Sequence, residues 1–279
     1  MGKRIAIGGN PNSGKSYSRS FLTNPNEHFL ITPSQKHSYL KDAKPFKVLI
    51  NGKRSDELAM QNETSSAAII ADAIKAAIAR KWDSGAPKIT NPEGNYLVCN
   101  QAKDVLPIIK YINRFMPHIK TCHIGDFTHF ISNTLSSDEF IKRKAGGDAY
   151  LKYLELASDL LRNIITASDS VREDLNLVIE FHLDYDEQTG FYGVFVPGGK
   201  MLTEKFLPES YFDMFLFAEV LPFQEGIKDE DRYKFVCIKR EPFDGRGMNL
   251  FGDVMDSFGR IPNDMQLVLD RVLDKVPKN

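Results

Sequence analysis

A glycine-rich loop near the start of the chain constrains the fold more than any other feature. Residues 4–8 are short and apolar enough to form a buried strand. Residues 9–16, Gly-Asn-Pro-Asn-Ser-Gly-Lys-Ser, fit the pattern G-x-x-x-x-G-K-[ST], and residues 17–22 are compatible with a helix. A strand, this loop and a helix in succession predict a phosphate-binding loop. The alternative is a turn that merely links strand to helix.

The residue types in the loop explain how it would hold a phosphate. Gly9 and Gly14 allow backbone angles that turn successive N–H groups inward, and the following helix points its positive end at the same anion. The Lys15 side chain would reach the β and γ phosphates, and the Ser16 hydroxyl would ligate Mg²⁺. The predicted nucleotide-binding residues are Gly9, Asn10, Pro11, Asn12, Ser13, Gly14, Lys15, Ser16 and Tyr17.

Composition limits the classes of protein that need consideration. The 279 residues are 42% hydrophobic and 26% charged, with a net charge of −1, so any nucleic-acid surface must be a local patch. Three scattered cysteines without metal-type spacing predict a reducing compartment, with two of them as buried apolar residues. The start of the chain does not resemble a signal peptide, and no apolar stretch is long enough to span a bilayer. We therefore expect a cytoplasmic protein that does not contact a membrane.

Short apolar runs alternate with helical patterns along the chain. Strands are predicted at residues 28–32, 120–126, 175–182, 214–220 and 233–238, with a third strand or an edge piece at 47–51 and a partner for 175–182 at 191–196. Helices are predicted at residues 65–78, 101–116 and 148–166 and after a cap at Asn263, and residues 91–94 are predicted as a turn. This alternation predicts a mostly parallel central sheet flanked by helices, with a late antiparallel strand pair, in a single domain.

Two polar residues follow predicted strands and are candidates for chemistry. A phosphate-binding loop needs a second acid for the metal at the end of another apolar strand, and Asp126 has that position. Its alternative role is to cap a helix that starts at Phe127. His182 would face the γ-phosphate if its strand neighbours the loop strand, or else it is structural. Glu180 is a possible inward polar group near the site, which the sequence leaves undecided.

Basic residues cluster in three places that would suit contacts with DNA or with a neighbouring subunit. Lys142, Arg143 and Lys144 precede a glycine pair and would grip nucleic-acid phosphates, or else form a solvated helix end. Lys200 and Lys205 are candidates for a charge-neutralising finger across a subunit interface. The remaining candidate is Arg246, as a finger or a DNA contact. The alternative for each of them is an ordinary surface charge.

Several segments together resemble a known group of proteins. They are residues 9–16, the run at 95–98 with its helix into 120–127, Glu180 to His182, and the stretches at 198–205, 247–251 and 261–265. The chain resembles the bacteriophage-type ATP-binding proteins with a RecA-like core, a group that includes single-strand annealing proteins of phage recombination. The resemblance extends from Arg4 to Val276, except for a predicted insertion at about residues 53–93.

The resemblance implies an ASCE-type, RecA-like P-loop NTPase fold that binds ATP with Mg²⁺. It also implies single-stranded DNA as a partner, self-association into an oligomer or filament, and a location in the host cytoplasm if a phage encodes the protein. The expected activity is DNA-dependent ATP hydrolysis in recombination or strand annealing. The resemblance assigns Lys15 and Ser16 to the binding of phosphate and metal. It gives Asp126 the role of the acid at the strand end and His182 the polar position that faces the γ-phosphate.

The chain departs from this group's pattern at two places. Gly125 stands where an acid is common, and Thr32-Pro33-Ser34 supplies no acid after the second strand. Two other functions therefore remain open. One is a P-loop kinase of a small molecule, which usually carries an acid after the second strand and an arginine-rich lid. The other is a nucleotide-binding switch or scaffold that does not hydrolyse its ligand.

Overall fold

The computed structural model describes residues 2–34, 39–79, 85–137, 162–197 and 208–272, together with residue 159. The strands in these residues are β1 (Arg4–Gly9), β2 (His28–Thr32), β3 (Lys47–Ile50), β4 (Lys53–Arg54), β5 (Ile89–Glu93), β6 (Tyr96–Val98), β7 (Thr121–Ile124), β8 (Asn176–Phe181), β9 (Leu183–Asp186), β10 (Phe191–Val194), β11 (Met214–Val220), β12 (Tyr233–Val236), β13 (Lys239–Arg240), β14 (Phe243–Asp244) and β15 (Arg260–Pro262). The helices are α1 (Ser55–Gln61), α2 (Ser66–Ala79), α3 (Ala102–Phe115), α4 (Phe127–Leu135), α5 (Met248–Phe251) and α6 (Met265–Val272).

A large, mostly parallel sheet organises the described residues. Its strand order is β15-β12-β11-β1-β8-β7-β2-β6. The six strands from β11 to β6 run parallel to their neighbours, and β12 and β15 are antiparallel at one edge. This arrangement confirms the predicted α/β class, the parallel central sheet and the late antiparallel pair, β11 with β12.

The order of the strands determines which loops meet. β1 lies between β8 and β11, and β8 separates β1 from β7. The pairing sets Ile7 of β1 opposite Glu180 of β8, and Ile124 of β7 opposite Ile179. Because these three strands are parallel, the residues that follow them emerge at the same edge of the sheet. We call this edge, formed by the carboxyl ends of β1, β7 and β8, the loop edge.

Apolar clusters cover the sheet on both faces, which explains why its central strands are apolar at successive positions. One cluster joins Ala6 and Phe29 to buried residues of α2, α3 and α4. The other joins Ile5 and Ile7 to Val268 and other residues of α6. The helices at α2 and α3 form where the spacing of apolar residues predicts them.

Three local predictions are wrong. Residues 17–22 do not form an α-helix: a single 3-10 helix, Tyr17–Phe21, is followed by extended Leu22, and Pro25 keeps the residue before it out of the helical region. Asn263 does not cap α6, because the backbone N–H of Leu267 donates to the Asp264 carboxylate at 3.1 Å. The strand at 191–194 pairs with β9, which follows His182, rather than with β8.

The region around residues 47–93 forms a separate small sheet. Its order is β4-β3-β5, so the run predicted at 47–51 belongs to this sheet rather than to the central one. Residues 91–94 are not all turn, because β5 extends to Glu93, although Asn91 and Gly94 both adopt a positive φ, of 51° and 89°. β6, at the edge of the large sheet, was not predicted as a strand. We call β3, β4 and β5 the small sheet.

Parts of the sequence-based predictions fall outside the described residues. Most of the helix predicted at 148–166 does so, although residues 162–165 are helical, and so do Lys142, Arg143, Lys144, Lys200 and Lys205. All three cysteines are described, free and buried, and burial raises the pKa of Cys99 and Cys122 to about 12. None of the helices in the described residues has the length and apolar character needed to cross a membrane.

Candidate functional site

The loop at residues 9–16 connects β1 to the 3-10 helix and depends on both of its glycines. Gly14 has a φ of +92°, and a Cβ atom there would lie 2.6 Å from Cδ1 of Tyr233. A Cβ atom on Gly9 would lie 2.3 Å from the Ser13 hydroxyl oxygen. Any larger residue at either position must therefore distort the loop. Gly14 uses the backbone freedom predicted for it, whereas Gly9 has no positive φ and is required by a close approach instead.

Hydrogen-bond donors collect inside this loop. The buried Lys15 ammonium donates to the carbonyl oxygens of Gly9 at 2.5 Å and Asn10 at 2.9 Å. The Ser13 hydroxyl is buried and has no hydrogen-bond partner among the described residues. A buried ammonium beside a buried, unpaired hydroxyl is a donor set that suits a phosphate group, because an anion would satisfy the hydroxyl and balance the charge of the ammonium.

A buried ion pair lies beneath the loop. Arg19 is 1% exposed and forms an ion pair with Glu180 of β8, which is 2% exposed. The Ser16 hydroxyl donates to Oε2 of the same carboxylate at 3.3 Å. Burial lowers the pKa of Arg19 to about 10, so the guanidinium remains charged at neutral pH. The pair therefore fastens the chain after the loop to the neighbouring strand.

Sequence reasoning found only part of this arrangement. It left Glu180 undecided and did not select Arg19 at all. An acid at a single position of the otherwise apolar run from Leu177 to Phe181 was the available signal, because a buried carboxylate requires a partner. Arg19 comes four residues after Lys15, but the sequence alone does not say that its side chain turns inward.

Asp126 lies at the loop edge and points its carboxylate at two histidines. It occupies the residue before α4 with a left-handed φ of 55°, and its side chain makes no capping hydrogen bond. Its Oδ1 atom lies 2.9 Å from Nε2 of His182, and its Oδ2 atom lies 3.5 Å from Nε2 of His129. The carboxylate therefore does not act as the helix cap that was the alternative to a functional role.

His182 follows β8 directly and is positioned by its neighbours. Its backbone N–H donates to the Thr128 hydroxyl at 3.0 Å, which ties the residue to the first turn of α4. His129 was not selected from the sequence. The signal that was available is its place three residues after Asp126, because residues at that spacing share one face of a helix.

The loop, Asp126 and His182 border a single pocket of about 700 Å³. Its lining consists of Pro11, Asn12, Ser13, Gly14, Lys15, Ser16, Tyr17, Tyr39, Asp126, Glu180, His182, Asp229, Glu230 and Tyr233. Three of the lining residues are tyrosines, and the Tyr17 ring contacts both of the others, with ring centroids 5.4 Å apart for Tyr17 and Tyr233 and 6.2 Å apart for Tyr17 and Tyr39. The pocket therefore has a polar, cation-containing side and an aromatic side, and its volume is typical of small-molecule sites.

Arg246 is the one described member of the predicted basic set, and it does not line this pocket. Its backbone pairs with Phe215, near the start of β11 and away from the loop edge. Its guanidinium donates to the carbonyl oxygen of Glu209 at 3.3 Å and lies 3.7 Å from the Asp244 carboxylate. A role as an interface finger or DNA contact stays a prediction.

Comparison with known proteins adds no relative: no protein-family model matches this chain, and no curated protein matches it either. What the chain does must therefore be argued from the loop edge and its pocket.

Proposed function

We propose that this chain is an ATP-binding protein that acts as a DNA-dependent ATPase on single-stranded DNA, in recombination or strand annealing of the phage type. The observation that carries the proposal is the pocket in which the donors of the glycine-rich loop, the Ser16 hydroxyl and the Asp126 carboxylate meet. A triphosphate with its divalent ion needs these groups within reach of one another.

The strand order supports a RecA-like core within the α/β class. The ASCE group takes its name in part from an additional strand between the strand that carries the loop and the strand that ends in the metal-binding acid. β8 occupies that position between β1 and β7. The order is a property of the whole sheet, so it supports the resemblance independently of the loop motif.

The polar side of the pocket is suited to the phosphates. The inward N–H groups of residues 9–16 and the Lys15 ammonium would bind the β and γ phosphates. Ser16 and Asp126 would hold Mg²⁺, which supplies charge neutralisation at the transferred phosphate when it is bound. His182, whose ring contacts Asp126, would be the polar group near the γ-phosphate.

The aromatic side of the pocket is suited to the base. The Tyr17, Tyr39 and Tyr233 rings offer faces and edges for stacking against a planar ring system. Asp229 and Glu230 lie on the pocket lining and are exposed carboxylates. Because they repel phosphates and accept hydrogen bonds, they favour an orientation in which amino or hydroxyl groups of a nucleoside face them.

One observation favours a second candidate, a nucleotide-binding switch that does not hydrolyse ATP. Glu180 is the other buried acid of the pocket, and its carboxylate is engaged by Arg19 and Ser16. It is therefore not available to activate water, which leaves Asp126 as the remaining described carboxylate with a buried position in the pocket. Hydrolysis of ATP would thus depend on Asp126. If Asp126 only binds the metal ion, the protein would be a nucleotide-binding switch that does not hydrolyse ATP.

Nucleotide binding is tested by titrating the protein with a fluorescent ATP analogue in the presence of Mg²⁺. Lys15→Ala removes the ammonium and should weaken binding by at least about a hundredfold, since charge-assisted hydrogen bonds to phosphate contribute about 1.5–3 kcal/mol each. Lys88→Ala, which removes an exposed lysine outside the pocket lining, is the matched control and should bind as the wild type does. Equal affinity of the Lys15→Ala variant would contradict the proposal.

Hydrolysis and the role of DNA are tested by phosphate release with and without a single-stranded oligonucleotide. Asp126→Asn should leave nucleotide affinity within a few fold and lower turnover by about a hundredfold, the usual range for loss of a group that assists proton transfer. If the wild type released no phosphate, the result would favour the nucleotide-binding switch over the ATPase. If the protein bound the oligonucleotide with the same affinity with and without ATP, the result would count against an ATPase that depends on DNA.

A further inference from the structure

The side chains of Asp126, His129 and His182 form a compact group of potential metal ligands. One carboxylate oxygen of Asp126 and one ring nitrogen of each histidine lie within 4.8 Å of one another. We propose that these three residues bind one transition-metal ion of the Zn²⁺ or Co²⁺ type, and that they do so without nucleotide. This site shares Asp126 and His182 with the proposed nucleotide site, but binding of the ion in the absence of nucleotide does not depend on the proposed ATPase function.

The distances fit a single ion among the three side chains. Zn²⁺ binds His nitrogen and carboxylate oxygen at about 2.0–2.2 Å, so ligand atoms in a tetrahedral shell lie roughly 3.3–3.6 Å apart. The Asp126 carboxylate has Oδ2 3.5 Å from Nε2 of His129 and Oδ1 2.9 Å from Nε2 of His182. Both distances lie close to that range, and one ligand atom from each of the three side chains lies within 4.8 Å of the other two, so side-chain rotation can bring them around one ion.

The backbone holds the three ligands in place before any ion arrives. Asp126 is fixed in a left-handed conformation directly before α4, and His129 lies one turn along the same helix. His182 is held against that helix by its hydrogen bond to Thr128. The centroids of the two imidazole rings are 5.6 Å apart, and both rings direct Nε2 toward the Asp126 carboxylate. A preformed site of this kind loses little conformational entropy on binding.

Burial changes across the site in a way that allows an ion to enter. The Asp126 side chain is 8% exposed, that of His182 is 18% exposed and that of His129 is 57% exposed. His129 therefore provides an approach from solvent, whereas Asp126 and His182 lie on the pocket lining. An ion held by three protein ligands keeps a coordination position for water or for an oxygen atom of a pocket ligand.

The donor set determines which metal the site should prefer. Two imidazole nitrogens and one carboxylate suit Zn²⁺ and related ions, whereas Mg²⁺ favours oxygen ligands in an octahedral shell. We therefore expect Co²⁺ and Zn²⁺ to compete for the site and Mg²⁺ to compete weakly. A site made only of oxygen donors would give the opposite order, so metal preference tests the chemistry directly.

The test uses the full-length protein, freed of metal by dialysis against a chelator and titrated with Co²⁺ in the absence of nucleotide. Visible absorption should rise and saturate at one Co²⁺ per chain, and Zn²⁺ should displace it. His129→Ala should weaken Co²⁺ binding by at least about tenfold, because even a group that only supports a ligand contributes about that much. His118→Ala, which removes an exposed histidine elsewhere, should leave the titration unchanged.

Two further variants make the outcome unambiguous. His182→Ala removes the other imidazole and should also weaken Co²⁺ binding, with circular dichroism used to check that both variants fold. Lys15→Ala should retain the Co²⁺ site although it loses ATP, so failure of the proposed function and failure of this site give different results. Unchanged Co²⁺ affinity in His129→Ala, or competition by Mg²⁺ as strong as that by Zn²⁺, would overturn the proposal.

Discussion

The loop edge and the small sheet use charged residues in opposite ways. At the loop edge, Arg19 and Glu180 are fully inside the protein and pair with each other. On the small sheet, Lys47 and Arg54 pair with Asp56 while their own side chains remain one-third to one-half exposed. The two regions belong to one chain and contribute residues to the same apolar cluster. A general requirement for stability therefore does not explain why charged residues are buried in one region and exposed in the other.

The burial of the strands shows the same contrast. β3 alternates partly exposed and buried positions, as expected for a sheet with one face in the core. β8 is buried at all six positions, and two of these are the polar residues Asn176 and Glu180. Burying a charge carries a large desolvation cost, and an apolar residue would pack as well. Buried charge at the loop edge is therefore better explained by what it does for the loop than by what it contributes to stability.

The largest expected effect comes from breaking the buried pair. Arg19→Met leaves the Glu180 carboxylate buried without its cation and should lower the free energy of unfolding by about 3–5 kcal/mol. Lys47→Met breaks an exposed pair and should cost no more than about 1 kcal/mol. Urea unfolding of both variants under the same conditions measures the difference. Similar losses in the two variants would remove the distinction between the regions.

A double substitution separates the cost of a broken pair from the value of an intact one. Arg19→Met combined with Glu180→Leu removes both charges, and it should recover most of the stability that Arg19→Met loses. Because Ser16 would lose its acceptor, the same variant should still bind ATP more weakly than the wild type. Full recovery of nucleotide affinity together with stability would mean that the pair has no role at the loop.

A smaller effect is expected from the glycines with positive φ in the two regions. Gly14→Ala combines a left-handed backbone with a contact to Tyr233 at 2.6 Å, and should lower the free energy of unfolding by about 2–3 kcal/mol. Gly52, in the small sheet's turn, has a φ of +82°, and a Cβ atom there would meet nothing within 4 Å, so Gly52→Ala should cost about 1–2 kcal/mol. Thermal unfolding compares the two. If Gly52→Ala lowered the free energy of unfolding more than Gly14→Ala does, the contact with Tyr233 would not be what restricts residue 14.

How far the sequence predicts this molecule depends on the range of the interactions involved. The strands at β1, β2, β7 and β8 and the helices at α2 and α3 follow from local apolar spacing, and they form close to their predicted bounds. The 3-10 helix after the loop does not follow from local spacing. The packing of Tyr17 against Tyr233 joins residues more than two hundred positions apart, which local spacing does not reveal.

The same limit applies to the candidate site. Lys15, Ser16, Asp126 and His182 were selected because motif spacing and strand ends are readable along the chain, and all four line one pocket. Arg19 was missed because its partner Glu180 comes from β8. His129 was missed because its place three residues after Asp126 gains significance only when the end of β8 brings His182 beside it. A charged residue in a sequence does not reveal whether its side chain is buried.

The smallest effect concerns a buried histidine of the large sheet and tests whether buried polar groups there carry a cost. Burial, together with nearby His28 and Arg19, holds the pKa of His123 well below its ordinary value of 6.5. The folded protein therefore keeps His123 neutral, whereas the unfolded chain binds a proton below about pH 6.5. Stability should thus be complete above that pH and fall as the pH drops, by at most about 1.4 kcal/mol per unit from this residue.

Urea unfolding between pH 7.5 and 5.5 measures this dependence, and His123→Leu should flatten it because the proton-binding group is gone from both states. His118, which is exposed, provides the control: His118→Leu should leave the pH dependence unchanged. If the wild type and His123→Leu lost stability equally on acidification, the interior of the sheet would impose no cost on a protonated imidazole. The distinction between the buried polar groups of the large sheet and those on the surface would then rest on the Arg19–Glu180 pair alone.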